Sequence, residues 1–225
     1  PYQPFLDNIE DHENLTKINK AVGLYNGTTT YKRVTDVSLE EMNDDSYKGM
    51  GTITNITTFD TTEDYVGKLE THKVELTTFD SLMTELKITE IDYLKIDTQG
   101  AELEILKGMG NYKPLLIKLE AHIHSMYKNV PSWNELLDCA YKLNYVVIDW
   151  KGIGSHATRV PAEMDMIFIP NFNNSDGIKL IKNNENIFVC LMIIFGQIDL
   201  LKVIANKNNF KNLNKINNLK DYYLN

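Results

Sequence analysis

The sequence has 225 residues, a formal charge of -8 from 23 Lys and Arg against 31 Asp and Glu, and two cysteines. A chain this long buries roughly 70% of its unfolded surface, so no metal or disulfide staple is needed, and Cys139 and Cys190 are expected as plain core thiols in a reducing compartment. Acid in excess, with arginine only at 33 and 159, argues against a nucleic-acid partner.

In chain order, Lys17 to Tyr25 and Thr28 to Val34 read as strands flanking Asn26-Gly27, a dipeptide that suits both positive-φ positions of a two-residue hairpin. Met50 to Thr57 and His72 to Phe79 read as two further strands, expected to pair with each other. For the acidic stretch Asp36 to Lys48, a solvated charge run is the simplest reading. Ile91 to Asp97 and Pro114 to Glu120 are aliphatic runs ending in carboxylates, the pattern of strands covered on both faces. Leu103, Leu106 and Met109 set a helix over Gln99 to Met109 between them, so the two strands are predicted to be adjacent and parallel. Asp97 and Glu120 then fall at the same edge of the sheet.

Ser132 and Glu135 have capping-box spacing at the head of a helix running to Leu143, where Asn144 can take the left-handed closing position. Tyr145 to Trp150 and Glu163 to Ile169 read as the last strands, joined through Gly152-Ile153-Gly154; with no helical pattern after it, this loop is not a dinucleotide fingerprint. After Pro170 the composition turns basic and Asn-rich, with Asp176, Glu185, Asp199 and Asp221 against seven lysines. Residues 1–170 and 171–225 are therefore expected as a domain and a helical extension. The segment Phe195 to Ala205 is similar to an ankyrin second helix, but a lone repeat cannot bury its face, and docking on the domain through Ile198, Leu201 and Ala205 is preferred. The longest apolar run, Ile187 to Phe195, is half a membrane span, so no transmembrane helix is expected. Pro1 opens no basic-then-apolar leader, which points to no signal peptide and a cytoplasmic protein. N-x-S/T matches at Asn14, Asn26, Asn55 and Asn173 are expected by chance in so Asn-rich a chain.

Two segments could carry chemistry. In an open α/β sheet, ligands bind beyond the carboxyl ends of the strands, where Asp97-Thr98-Gln99-Gly100 lies. Alternatively, Asp97 or Thr98 caps the helix and Gly100 permits close packing. Glu120-Ala121-His122-Ile123-His124, if extended, places a carboxylate and two imidazoles on one face, able to bind a metal or act as a base. At a strand end, a polar rim to the crevice is favoured over a metal site.

Val74 to Leu82, Ile91 to Glu102 and Leu106-Lys107-Gly108 resemble, in order and spacing, the FkbM family of S-adenosylmethionine-dependent methyltransferases. Ile117 to Glu120, Met126-Tyr127 and Asp165 to Phe168 resemble its later strands, and Asn19 to Gly23 its segment after the third strand, so the resemblance covers about residues 14–170. It implies a Rossmann-like class I methyltransferase sheet that methylates oxygen, often on sugars or polyketide hydroxyls. It also implies Asp97 beside the transferring methyl group and Ala21 with Val22 against adenine. The family's first strand, Gly-rich turn and ribose-gripping acid would precede Pro1; Pro1-Tyr2 resembles the residues after that acid, which makes Tyr2 a cofactor contact. A chain beginning there is expected to bind the cofactor weakly or not at all and to associate through an open sheet edge.

The sequence reading is thus an α/β methyltransferase domain lacking its first strands, acting on a small-molecule or glycan hydroxyl. Asp97 is the first choice for base or orienting group, with Glu120 and His122 next. A non-catalytic binding module of the same fold is the competing reading.

Overall fold

Two four-stranded sheets carry the chain in a computed structural model that describes residues 10–36, 51–52, 68–123, 130–153, 163–212 and 215–216. The first contains β1 (Ala21–Gly23), β2 (Gly27–Asp36), β3 (Gly51–Thr52) and β4 (Lys68–Thr78) in the order β1-β4-β2-β3. β1 runs parallel to β4 and β2 antiparallel to it, so Leu76 sits between Ala21 on one side and Gly27 on the other.

This corrects two expectations. β1 and β2 are not a hairpin, because β4 lies between them and Leu24-Tyr25-Asn26 crosses over its end. Neither Asn26 nor Gly27 adopts positive φ. The Asn26 side chain is occupied otherwise: Oδ1 accepts from Thr78 N–H at 2.9 Å and from the Thr77 hydroxyl at 3.2 Å, and Nδ2 donates to Ser81 Oγ at 3.0 Å. These bonds fasten the crossing to the end of β4 and to Ser81 just after it, instead of closing a two-residue turn. Nor do residues 51–52 pair with β4; β3 lies against β2, with Lys32 opposite Thr52.

The second sheet contains β5 (Tyr93–Ile96), β6 (Leu116–His122), β7 (Tyr145–Ile153) and β8 (Glu163–Pro170) in the order β5-β6-β8-β7. β5 and β6 are adjacent and parallel, with Ile96 opposite Leu119, as the two aliphatic runs predict. β8 is antiparallel to both its neighbours. Gly152 and Ile153 belong to β7 rather than to a connecting loop, because the ladder with β8 continues to the pair Ile153 and Glu163; Gly154 lies outside the described residues.

Side chains alternate across a strand, and the second sheet uses both faces. Ile117, Leu119 and Ala121 of β6, with Met164, Met166 and Phe168 of β8, enter a core closed by α1 (Phe79–Glu85), α2 (Glu102–Lys107) and α3 (Trp133–Lys142). The opposite face puts Leu116 and Ile169 into a second core with α4 (Ser175–Asn183), α5 (Glu185–Ile194) and α6 (Ile198–Asn208). α6 docks through Leu201, Ile204 and Ala205, all buried. Glu135 accepts from the Ser132 N–H at 2.9 Å and hydroxyl at 2.7 Å to start α3, and Asn144 closes it at φ 71°.

Cys139 is half-buried against the first core, but Cys190 is exposed, contrary to expectation. α5 turns Phe188, Leu191 and Met192 inward, which leaves position 190 on its outer side. No helix among the described residues is long and apolar enough to cross a membrane.

At Gly108 an added Cβ would come 2.9 Å from the Gly23 carbonyl oxygen, so the end of α2 meets the end of β1 closely enough to require glycine. Tyr145, 1% exposed, donates its hydroxyl to the Pro114 carbonyl at 2.8 Å and so joins the start of β7 to the approach to β6. Tyr145→Phe leaves that buried carbonyl without its donor and should destabilise the fold by about 1–3 kcal/mol. Thermal and urea unfolding measure it; a variant as stable as the wild type would show that the carbonyl finds another donor.

Candidate functional site

The segment after β5 is organised by a buried carboxylate. Glu102 is 1% exposed, and its Oε1 accepts from the Thr98 N–H at 3.0 Å and the Thr98 hydroxyl at 2.9 Å, while Gly100 N–H donates to Oε2 at 3.0 Å. A buried carboxylate is tolerated when donors surround it in this way. The loop wraps tightly enough to push Gln99 to φ 53° and Gly100 to φ 116°, backbone that glycine enters freely and glutamine only under constraint. α2 therefore begins at Glu102, three residues later than its apolar spacing predicts. Neither Asp97 nor Thr98 caps it; the cap residue is Ala101, which makes no side-chain cap bond.

Register then assembles the site. Because Ile96 lies opposite Leu119, Asp97 is level with Glu120 on the adjoining strand. His122, two residues further along β6, is opposite Glu163 on β8, and Glu120 is opposite Asp165. Lys95, Asp97, Lys118, Glu120, His122, Glu163 and Asp165 thus share the face whose other half is covered by α4 to α6.

The two lysines are committed to flanking acids: Lys95 Nζ lies 2.7 Å from Asp97 Oδ2, and Lys118 Nζ 2.7 Å from Asp165 Oδ2. Gln99 Nε2 donates to Glu120 Oε1 at 2.8 Å, so the constrained loop reaches across to the neighbouring strand. His122, 3% exposed, places Nδ1 3.4 Å from Glu163 Oε1. One donor atom from each of Glu120, His122 and Glu163 lies within 4.8 Å of the others, a grouping that could hold a metal ion.

Crowding of carboxylates shifts their titration. Burial, then the charges of Glu163 and Asp97, raises the Glu120 pKa to about 7, against the hydrogen bond from Gln99. Burial, with Asp97 and Glu102 adding to it, raises Glu163 as well. Burial lowers His122, opposed by the charge of Glu102.

Of the residues singled out in the sequence, Asp97, Glu120 and His122 come together. Ala21 and Val22 lie in β1 of the other sheet, Ala21 buried and Val22 half-buried against the first core. Tyr2 and His124 lie outside the described residues. Glu163 and Gln99 were not singled out. The polar alternation Glu163, Asp165 at the head of an apolar strand was the available signal for the first; a left-handed glutamine leaves no trace in sequence.

A carboxyl whose pKa is raised by folding holds a proton in the native state that the unfolded chain releases. Stability therefore falls as pH rises from the ordinary value of 4.5 through about 7. Glu120→Gln removes that loss and keeps an acceptor for Gln99. In chelator-treated protein the variant should melt above the wild type at about pH 8 and with it at about pH 4. Equal melting temperatures at both would mean that the Glu120 charge is well solvated.

A comparison with known protein families matches residues 4–147 to the methyltransferase FkbM domain, a span that includes Asp97, Glu120 and His122 and ends within β7. No curated protein and no solved structure matches the chain. With well over half of its length matched, including the carboxylate-bearing ends of both parallel strands, the chain belongs to the FkbM methyltransferase family.

Proposed function

We propose that this protein transfers a methyl group from S-adenosylmethionine to a hydroxyl oxygen of a sugar or other small metabolite, on a Rossmann-like sheet of the class I kind. The observation that carries the reading is the pair of parallel strands β5 and β6, with Asp97 just past the end of β5 level with Glu120 on β6, within a methyltransferase domain. Ligands of open α/β sheets bind outside such strand ends.

The residues present suit the cofactor. Its sulfur is cationic, and the carboxyl groups of Asp97, Glu102, Glu120 and Glu163 gather at this end of the sheet. Apolar Ala21 and Val22 on β1 are the proposed wall for adenine, and Tyr2 the proposed contact at the ribose side. When bound, S-adenosylmethionine supplies an electrophilic methyl group, so the protein's task is alignment and removal of a proton.

Asp97 is placed for both. Lys95 holds Oδ2 at 2.7 Å, which fixes the carboxylate and leaves Oδ1, with no hydrogen-bond partner among the described residues, to accept the hydrogen of an acceptor hydroxyl. Glu120, braced by Gln99, and His122 line the next positions along the crevice and bear on the rest of the acceptor. Residues 171–225 are proposed as an extension that closes the apolar half of the same face. Free thiols at Cys139 and Cys190 suit a cytoplasmic setting.

Calorimetric titration with S-adenosylmethionine and transfer of labelled methyl to a panel of hydroxylated acceptors test the reading. Asp97→Ala in the full-length protein should lower turnover by about 10²-fold or more, with unfolding transitions unchanged. Unchanged turnover in a folded variant would assign the proton to another group, and absence of cofactor binding by a protein that also carries the family's Gly-rich turn and ribose-gripping acid would favour a non-catalytic binding module.

A further inference from the structure

We propose that Glu120, His122 and Glu163 form a binding site for a divalent transition-metal ion, of the Zn2+ or Mn2+ class, at the carboxyl end of β6. One donor atom from each lies within 4.8 Å of the other two. The three side chains stand on two hydrogen-bonded strands, with His122 directly opposite Glu163 and Glu120 two residues before His122 on the same face. A site on paired strands is held more rigidly than one on loops.

Spacing separates this set from an ordinary ion pair. A charge-assisted hydrogen bond between imidazole and carboxylate closes to about 2.7–2.9 Å, whereas His122 Nδ1 and Glu163 Oε1 stand 3.4 Å apart. Two ligands bound tetrahedrally at about 2.1 Å lie about 3.4 Å from each other. Glu163 Oε1 is fully buried and accepts no hydrogen bond among the described residues. A buried carboxylate oxygen in that condition is costly, and a cation compensates it.

The surroundings are also allotted as a metal site needs. Lys95 and Lys118 are engaged with Asp97 and Asp165, so neither neutralises the three ligands. Gln99 holds Glu120 Oε1, orienting the carboxylate while leaving Oε2 to ligate. One imidazole and two carboxylates, without thiolate, suit Zn2+ or Mn2+ rather than a soft ion. Three protein ligands leave a position open to water or to an oxygen of the acceptor. That use of the ion rests on the methyl-transfer reading; binding of the ion does not.

Titration of chelator-stripped protein with ZnCl2 and with MnCl2, without S-adenosylmethionine, tests the site. One ion per chain is expected, with Glu163→Gln and His122→Gln each weakening it about 10²-fold or more. In the wild type, Mn2+ should broaden the imidazole signals of His122 before those of His12 and His72, a readout that survives if a variant fails to fold. No saturable binding, undiminished affinity in Glu163→Gln, or broadening centred on another histidine would overturn the proposal. Methyl transfer that persists in protein shown not to bind the ion would overturn this site and spare the methyltransferase reading; ion binding without transfer would do the reverse.

Discussion

The candidate site depends on the burial of the Glu102 carboxylate. A polar group in the interior must find hydrogen-bond partners, and the nearest are the amides and hydroxyl of the loop that has just left β5. Satisfying it bends Thr98 to Gly100 around the carboxylate, delays the start of α2 and holds Gln99 in left-handed backbone. That conformation directs the glutamine amide to Glu120 on the next strand. Strain at a ligand-facing loop persists only when its surroundings over-determine it, and here three donated bonds do so.

Alternation along β6 and β8 divides one sheet face into two regimes. Leu116 and Ile169 lie under the C-terminal helices in an apolar core. From Lys118 onward the same face turns to charge, and the lysines at its margin take up Asp97 and Asp165. Glu120, His122 and Glu163 are left in a poorly solvated group whose titration is displaced by burial. Such displaced groups are a common mark of chemical use. Asp97, Glu120 and His122 lie within the residues matched to the FkbM domain, whereas Glu163 lies beyond them.

Local signals were legible in the sequence where local forces decide. The capping box at Ser132 and Glu135, the left-handed Asn144 and the parallel pairing of two aliphatic runs each follow from a few neighbouring residues. Asn26-Gly27 misled because its turn preference is weak beside three side-chain bonds to the end of β4 and the first turn of α1, some fifty residues away. Asp97, Glu120 and His122 were legible as strand-end polar residues. Glu163 was not, since its role arises from the register between β6 and β8, which no stretch of either strand encodes alone. Glu102 was visible as part of a motif, but its pull on the loop could not be seen without its burial.

The crossing of Leu24 to Asn26 over the end of β4 bears on how the chain folds. A hairpin zips from its turn as soon as both arms exist, but β1 and β2 are each bonded to β4 and not to one another. Ala21 and Gly27, six positions apart, both wait for Leu76. On a ribosome the ladders that join β1 and β2 to β4 must therefore wait until β4 has emerged, and only the short β2–β3 pairing can form before it. During that interval β1 is unpaired and β2 has at most its short pairing with β3, and the speed with which β4 inserts between them sets how long the nascent chain is exposed to wrong partners.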